Sequence, residues 1–176
     1  MRILIVVGHP LANTFCEALA EAYRDGAEAG GHQATLVTLH ALAFDPILRK
    51  GYRAVQPLEP ELQAAYEALA ACDHLVFVFP LWCGDMPALL KGVIERVLQP
   101  ELIARENTEN AMNWSIFSNK TARIIMTMGM PVSIYHRFWY GGHALKLLTR
   151  NILNFIGIKP VRHTLFNVLA LESCAS

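Results

Sequence analysis

Residues Leu75–Leu98, LVFVFPLWCGDMPALLKGVIERVL, decide how this chain folds. Leu75 to Phe79 is an unbroken apolar run, β-branched and aromatic, which suits a strand buried on both faces. Pro80 is expected to stop it. Asp85 is placed to cap a new helix, and Pro87 falls in the first turn, where its missing N–H costs nothing. Leu89, Leu90, Val93, Ile94, Val97 and Leu98 then repeat at helical spacing, with Lys91, Glu95 and Arg96 turned outward. The loop Pro80–Asp85 is apolar and aromatic, yet it belongs to neither element. It lies at the carboxyl end of a central strand, where open α/β sheets bind their ligands. It reads as the wall of a pocket for a flat ligand; a tight buried β–α connection is the plainer alternative.

Working outward, Arg2–Val7 (RILIVV) is a second apolar strand, ended by Gly8-His9-Pro10. Thr14 caps the next helix, with Phe15, Leu19, Ala22 and Tyr23 on its inner face. Gly26, Gly30 and Gly31 loosen and then end that helix, and Gln33–Thr38 is a strand nearer an edge. Residues 39–57 show no period and read as a surface loop. Glu59 to Ala71 is a helix, and 99–120 is a long polar loop containing Asn107, Asn110, Asn113 and Trp114. Thr121–Met128 is the fourth strand, broken by Gly129-Met130-Pro131. An aromatic cluster, Tyr135, Phe138, Trp139 and Tyr140, precedes Gly141-Gly142. Ala144 to Phe155 is a helix with Leu145, Leu148, Ile152 and Phe155 on one side, and Lys159–Phe166 is the last strand.

Strands that alternate with helices imply an α/β fold with a parallel sheet and right-handed crossovers. Five strands favour the order 2-1-3-4-5 in a single domain, residues 1–176. In that order the first and third strands meet at the topological switch point, so the loops Gly8–Thr14 and Pro80–Asp85 face one crevice. The loop after Met128 completes its rim. The first loop ends at a helix N-terminus, a ready anion site, with His9, Asn13 and Thr14 as nearby donors. It contains neither GxGxxG nor GxxxxGK[ST], which disfavours a Rossmann-bound nicotinamide or a P-loop nucleotide. An anion site beside a flat aromatic wall suits a ligand with phosphates and a planar ring, such as a flavin nucleotide.

Composition narrows the class further. Hydrophobic residues make up 53% of the chain and charged residues 17%, an apolar balance that fits a sheet covered on both faces and a subunit interface. No run approaches the roughly 18 apolar residues of a membrane span. Lys and Arg total 15 and Asp and Glu total 15, so there is no basic field for nucleic acid. Cys16, Cys72, Cys83 and Cys174 form no CxxC, and the N-terminus runs straight into a strand; both fit a reduced, cytoplasmic setting. The seven histidines lack metal-ligand spacing, and no GxSxG elbow is present.

The residues resemble the flavodoxin-like NAD(P)H:quinone oxidoreductases. The resemblance rests on His9-Pro10 with Thr14-Phe15, on Phe79-Pro80-Leu81-Trp82 running into Met86-Pro87-Ala88-Leu89-Leu90-Lys91-Gly92, and on Glu95-Arg96-Val97. Thr127 and Gly129 with Tyr135 resemble that family's third flavin loop. The resemblance implies a flavodoxin-like three-layer sandwich, bound FAD with FMN as the alternative, NAD(P)H as co-substrate, a quinone-like acceptor and a homodimer. It also implies that His9, Asn13, Thr14, Phe15 and Cys16 lie at the flavin phosphates. Pro80, Leu81, Trp82 and Cys83 would lie along the ring, with loop N–H groups at its reactive nitrogen. Thr127 and Gly129 would meet the ring's polar edge, and Tyr135 would be the catalytic hydroxyl that absorbs charge on it. Cys16 stands where many relatives have Asn, and Cys83 where Trp is common. The family's histidine partner of the tyrosine falls on Gly141, with His136 and His143 out of register. A flavin-containing regulatory subunit of a potassium-efflux system is the alternative from a different class.

Overall fold

The computed structural model describes residues 1–100, 102, 117–137 and 141–168. Five parallel strands form one sheet in the order β2-β1-β3-β4-β5. They are β1 Arg2–Val7, β2 Gln33–Thr38, β3 His74–Pro80, β4 Thr121–Met128 and β5 Val161–Asn167. The continuous apolar runs of β1 and β3 produce this directly, since central strands bury both faces. β3 runs one residue further than expected and includes Pro80, paired with Thr127. Odd-numbered residues here send their N–H toward β4, as Leu81 does to the Thr127 carbonyl at 2.8 Å. The missing N–H of Pro80 therefore points to the β1 side, where pairing has already ended at Val78.

Helix α1, Phe15–Ala29, packs on one face through Cys16, Ala20, Leu19, Tyr23 and Ala27. Phe15 and Ala22, expected on that inner face, point outward. Gly26 does not interrupt the helix, which closes at Gly30. Helices α2, Pro60–Ala71, and α3, Ala88–Val97, cover the other face with the larger cluster around Leu90, Phe79, Ile124 and Leu148. Short helices α4, Val132–Arg137, and α5, His143–Lys146, follow β4.

Helix α5 continues as a π-turn segment over Leu147–Leu153, with i→i+5 bonds from Asn154 N–H to Thr149 O and from Ile158 N–H to Leu153 O. The wider turn shifts the buried face from Ile152 and Phe155 to Leu153 and Ile156. Phe155, expected inward, is instead 61% exposed.

Arg96 also departs from its expected outward position. It is fully buried, and its guanidinium donates to the carbonyls of Asp45 and of Pro57 (2.6 Å) and to Glu59 Oε2 at 2.9 Å. Gln99 and Gln56 add a reciprocal pair, side-chain amide to backbone, at 2.8 Å each way. Gly92 lets residue 46 lie against α3: a Cβ there would sit 2.6 Å from the Pro46 carbonyl oxygen. Residues 39–57 are thus clamped to α3, with 3₁₀ turns at Leu39–Ala41 and Gly51–Arg53. Among the described residues no helix is long and apolar enough to cross a membrane. The expectations for Asn107, Asn110, Asn113, Trp114, Phe138, Trp139, Tyr140 and Cys174 lie outside the described residues.

Candidate functional site

The loops after β1, β3 and β4 meet at the carboxyl end of the sheet. Three contacts join them. The His9 ring meets the Trp82 ring edge-on, with centroids 5.2 Å apart. Leu81 N–H bonds the Thr127 carbonyl, and Cys16 Sγ lies 3.4 Å from Thr127 Oγ1. His9, Cys16, Leu81, Trp82 and Thr127 are therefore brought together as expected of a switch-point crevice. Gly129 is exposed at the end of β4 on the same rim.

The start of α1 has a built-in cap. Thr14 is the N-cap, and its Oγ1 accepts from Glu17 N–H at 3.4 Å. Ala18 N–H bonds the Thr14 carbonyl, so the N–H groups of Phe15 and Cys16 have no intrahelical partner. The Glu17 carboxylate reaches back to Asn13 N–H at 2.6 Å, and Asn13 holds the left-handed conformation at φ 55°. His40 Nε2 lies 3.5 Å from Glu17 Oε1, close enough for charge but too poorly aligned for a hydrogen bond. Glu17 was missed by the sequence reading, although T-x-x-E is the sequence mark of a capping box. The Cys16 side chain turns inward; burial raises its thiol pKa, and the Thr127 contact works against that rise. At the helix start Cys16 therefore offers its backbone N–H and not its thiol. Phe15 lies edge-on to Phe166 with centroids 6.1 Å apart.

The second loop is a tight turn. Trp82 and Asp85 exchange both backbone hydrogen bonds at 2.9 Å, and Cys83 (φ 50°) and Gly84 (φ 82°) occupy its centre. Positive φ at both positions is the type I′ pattern, which strongly prefers Asn or Gly at its first central residue. The turn presents Trp82 at 43% exposure and Cys83 at the surface. It also overturns one expectation and narrows another. Asp85 caps no helix: its Oδ1 accepts from Met86 N–H at 2.7 Å, and α3 starts from Pro87 without a side-chain cap. The N–H groups of Leu81 and Trp82 are already engaged, so the donors this loop can offer a ligand are those of Cys83 and Gly84.

Tyr135 is fully buried in the core cluster. Its hydroxyl accepts from Leu145 N–H at 3.1 Å, closing the first turn of α5, whose N-cap Gly142 has no side chain to do so. Burial raises the phenol pKa; the Leu145 bond lowers it, and the nearby Asp85 charge raises it further. The ring of His143 lies against Gly141, with Nε2 3.0 Å from where a Cβ would stand.

Comparison with known proteins agrees with the topology. The model of a family described as having a flavodoxin-like fold matches residues 1–173. The chain belongs to that flavodoxin-like family. An uncharacterized NAD(P)H oxidoreductase of Haemophilus influenzae is 28% identical over 175 residues, covering 97% of this chain and 86% of that protein. Rat NAD(P)H dehydrogenase [quinone] 1 is 27% identical over 154 residues, covering 76% of this chain and 56% of that protein. An FMN-dependent NADH:quinone oxidoreductase of Ruegeria pomeroyi is 27% identical over 100 residues, covering 52% of this chain and 48% of that protein. This chain thus spans most of the Haemophilus relative and about half of the other two.

Proposed function

We propose that this chain is a flavin-dependent NAD(P)H:quinone oxidoreductase. The observation that carries the proposal is the junction of an anion-ready helix start with a half-exposed aromatic loop at one switch point. The residues present fit a flavin nucleotide. Phe15 and Cys16 offer unpartnered N–H groups at the positive end of α1, beside Thr14, Asn13 and His9, for phosphate. Pro80, Leu81, Trp82 and Cys83 would line the ring, with Thr127 and Gly129 on the adjoining strand end at its polar edge. When bound, a flavin supplies hydride acceptance from NAD(P)H and hydride delivery to a quinone-like acceptor. The chain's own part is to bind, to orient and to place fixed dipoles. The N–H groups of Cys83 and Gly84 are fixed in direction by the I′ turn, so they need no reorganisation when charge develops before them.

For Tyr135 the proposed role is electrostatic support of the ring's polar edge, exerted from beneath the third loop with its hydroxyl held by Leu145 N–H. The side chain proposed to assist it is His143, whose exposed ring lies over Gly141. We further propose a homodimer. A groove of about 340 Å³ between α3 and the π segment is lined by Tyr52, Leu98, Ile152 and Phe155, and both Tyr52 and Phe155 are largely exposed. Apolar side chains grouped in this way mark an interface more often than bare surface.

The test is direct. Purified protein should bind flavin, and the mass of the ligand released on denaturation separates FAD, which the sequence resemblance favours, from FMN. With that flavin bound, NAD(P)H oxidation should accelerate when a quinone is added. A protein that binds neither flavin in a fluorescence titration refutes the proposal. Slow turnover together with a membrane partner would favour the potassium-efflux alternative. Light scattering should give a dimer at working concentration.

A further inference from the structure

At the amino-terminal ends of the strands, far from the crevice, the sheet carries a polar cavity of about 310 Å³. Its polar lining is Tyr23, His32, His74, Thr121, Arg123 and Arg162, with no acidic residue. On the α1 side of the sheet, Ile125 is the last buried apolar residue of β4. By strand alternation, Thr121, Arg123, Arg162 and Thr164 continue that face. Arg123 and Arg162 are register partners on neighbouring strands. Like charges set directly opposite one another destabilise a sheet. Among the described residues neither arginine has an ion-pair partner; Arg123 Nη1 donates only to Thr164 Oγ1 at 2.8 Å.

His74 reports the local field. Its Nδ1 lies 2.6 Å from Thr121 Oγ1 and its Nε2 3.2 Å from Tyr23 OH. Its pKa is lowered, first by burial and then by the positive charges of Arg123 and Arg162. Uncompensated positive charge is thus concentrated here in a chain whose formal net charge is +0.

We propose that this cavity binds a phosphate monoester, with the phosphate held between Arg123 and Arg162. Two planar guanidinium forks match a tetrahedral dianion, each able to give parallel N–H···O bonds. Placing a dianion there turns the Arg123–Arg162 repulsion into two attractions. A second hollow of about 380 Å³ shares Ile3, Tyr23 and His32 and runs along Ala22, Gly26 and Ala27 of α1. It gives the organic part of the ester a place against an aromatic ring and small residues. The site is at the opposite end of the strands from the crevice, so it is independent of the flavin proposal.

The experiment is a calorimetric titration with inorganic phosphate, and then with glycerol 3-phosphate, at constant ionic strength set by chloride. The protein is first loaded with flavin, so that the start of α1 is not open to the probe, and unbound flavin, itself a phosphate ester, is removed by desalting. If no flavin binds, the same titration is run on the protein as purified, and the arginine variants still locate the site. Saturable binding is expected with a dissociation constant below roughly 10 mM. Arg162→Gln and Arg123→Gln should each weaken it by about tenfold or more, the loss expected for a hydrogen bond to a charged group. Arg24→Gln, at a half-buried arginine bonded to Asp25 and outside the lining of the cavity, should not change it. Arg162 is exposed on an edge strand, so its variant keeps the fold even if Arg123→Gln does not. Equal affinity in wild type and Arg162→Gln, or no saturation, overturns the proposal. Weaker binding of glycerol 3-phosphate than of inorganic phosphate overturns the monoester assignment.

Discussion

Thr14→Ala separates the two jobs assigned to the start of α1. As a cap, Thr14 accepts one backbone N–H at 3.4 Å, near the long limit for a hydrogen bond. Glu17 keeps its own bond to Asn13 N–H when the hydroxyl is removed. The stability loss should therefore fall at the low end of the capping range, about 0.5–1 kcal/mol. As a phosphate ligand, the same hydroxyl makes a hydrogen bond to a charged group, worth about 1.5–3 kcal/mol. At about 1.4 kcal/mol per tenfold, that is a loss of flavin affinity between about 10- and 150-fold. Urea denaturation of the flavin-free protein measures the first quantity, and fluorescence titration with the flavin the second. Thr14→Ser should restore both. A variant that loses the expected stability but binds flavin as tightly as wild type would refute a phosphate role, leaving Thr14 a cap alone.

Two further predictions rest on buried contacts. Arg96→Met should destabilise the chain by about 3 kcal/mol, the lower part of the range for breaking a buried pair, because Glu59 keeps 31% of its side chain in solvent. Glu59 sits below the ordinary carboxyl range: burial pulls its pKa up, but hydrogen bonds from Arg96 and from Asp45 N–H outweigh that. Its folded pKa is depressed, so the stability it adds is present above the unfolded pKa and is lost as pH falls through the folded one. Urea midpoints at neutral pH and at about pH 4 should show this loss in wild type and less of it in Arg96→Met. Tyr135→Phe leaves the buried Leu145 N–H without its acceptor and should cost about 1–3 kcal/mol. Stopped-flow flavin reduction should slow by less than the 10²–10³ typical of a donor aimed directly at developing charge. A slowing of that full size with unchanged stability would place the hydroxyl on the ring itself.

The strands and their order were legible because β1 and β3 are short, continuous, β-branched apolar runs, a pattern that suits a doubly covered strand. Thr14 was legible for a local reason, since a cap depends on residues within one turn. Asp85 failed as a cap because the Cys83-Gly84 turn, which demands two positive φ values, takes its backbone into a hairpin first. Arg96 failed for the opposite reason. Its partners lie 37 to 51 residues away in sequence, and no helical pattern shows that a loop will fold over it. Phe155 was misplaced because Leu145, Leu148 and Ile152 fit an α-helix as well as the start of a π turn, and the extra residue per turn is invisible in apolar spacing. At the site, the loops that converge were readable, but the N–H groups they leave open were not. Which donors remain depends on Leu81 pairing with Thr127 and Trp82 with Asp85.

The clamp on residues 39–57 has a consequence for how the chain meets a protease. A stretch with so little regular structure would ordinarily be nicked wherever a susceptible residue occurs, because cleavage needs several residues of extended, detached backbone. Here detaching either end means exposing Arg96 or pulling the Gln56–Gln99 pair apart, and the Pro46 segment must lift off Gly92. Between those anchors the Gln56 side chain also ties the Ile47 carbonyl and Arg49 N–H, so the stretch around Lys50 and Tyr52 is held least, with Tyr52 standing out in solvent. Limited digestion should therefore cut once, near Lys50 or Tyr52, and yield two fragments that stay associated. A nick there would sever the chain without releasing the loop.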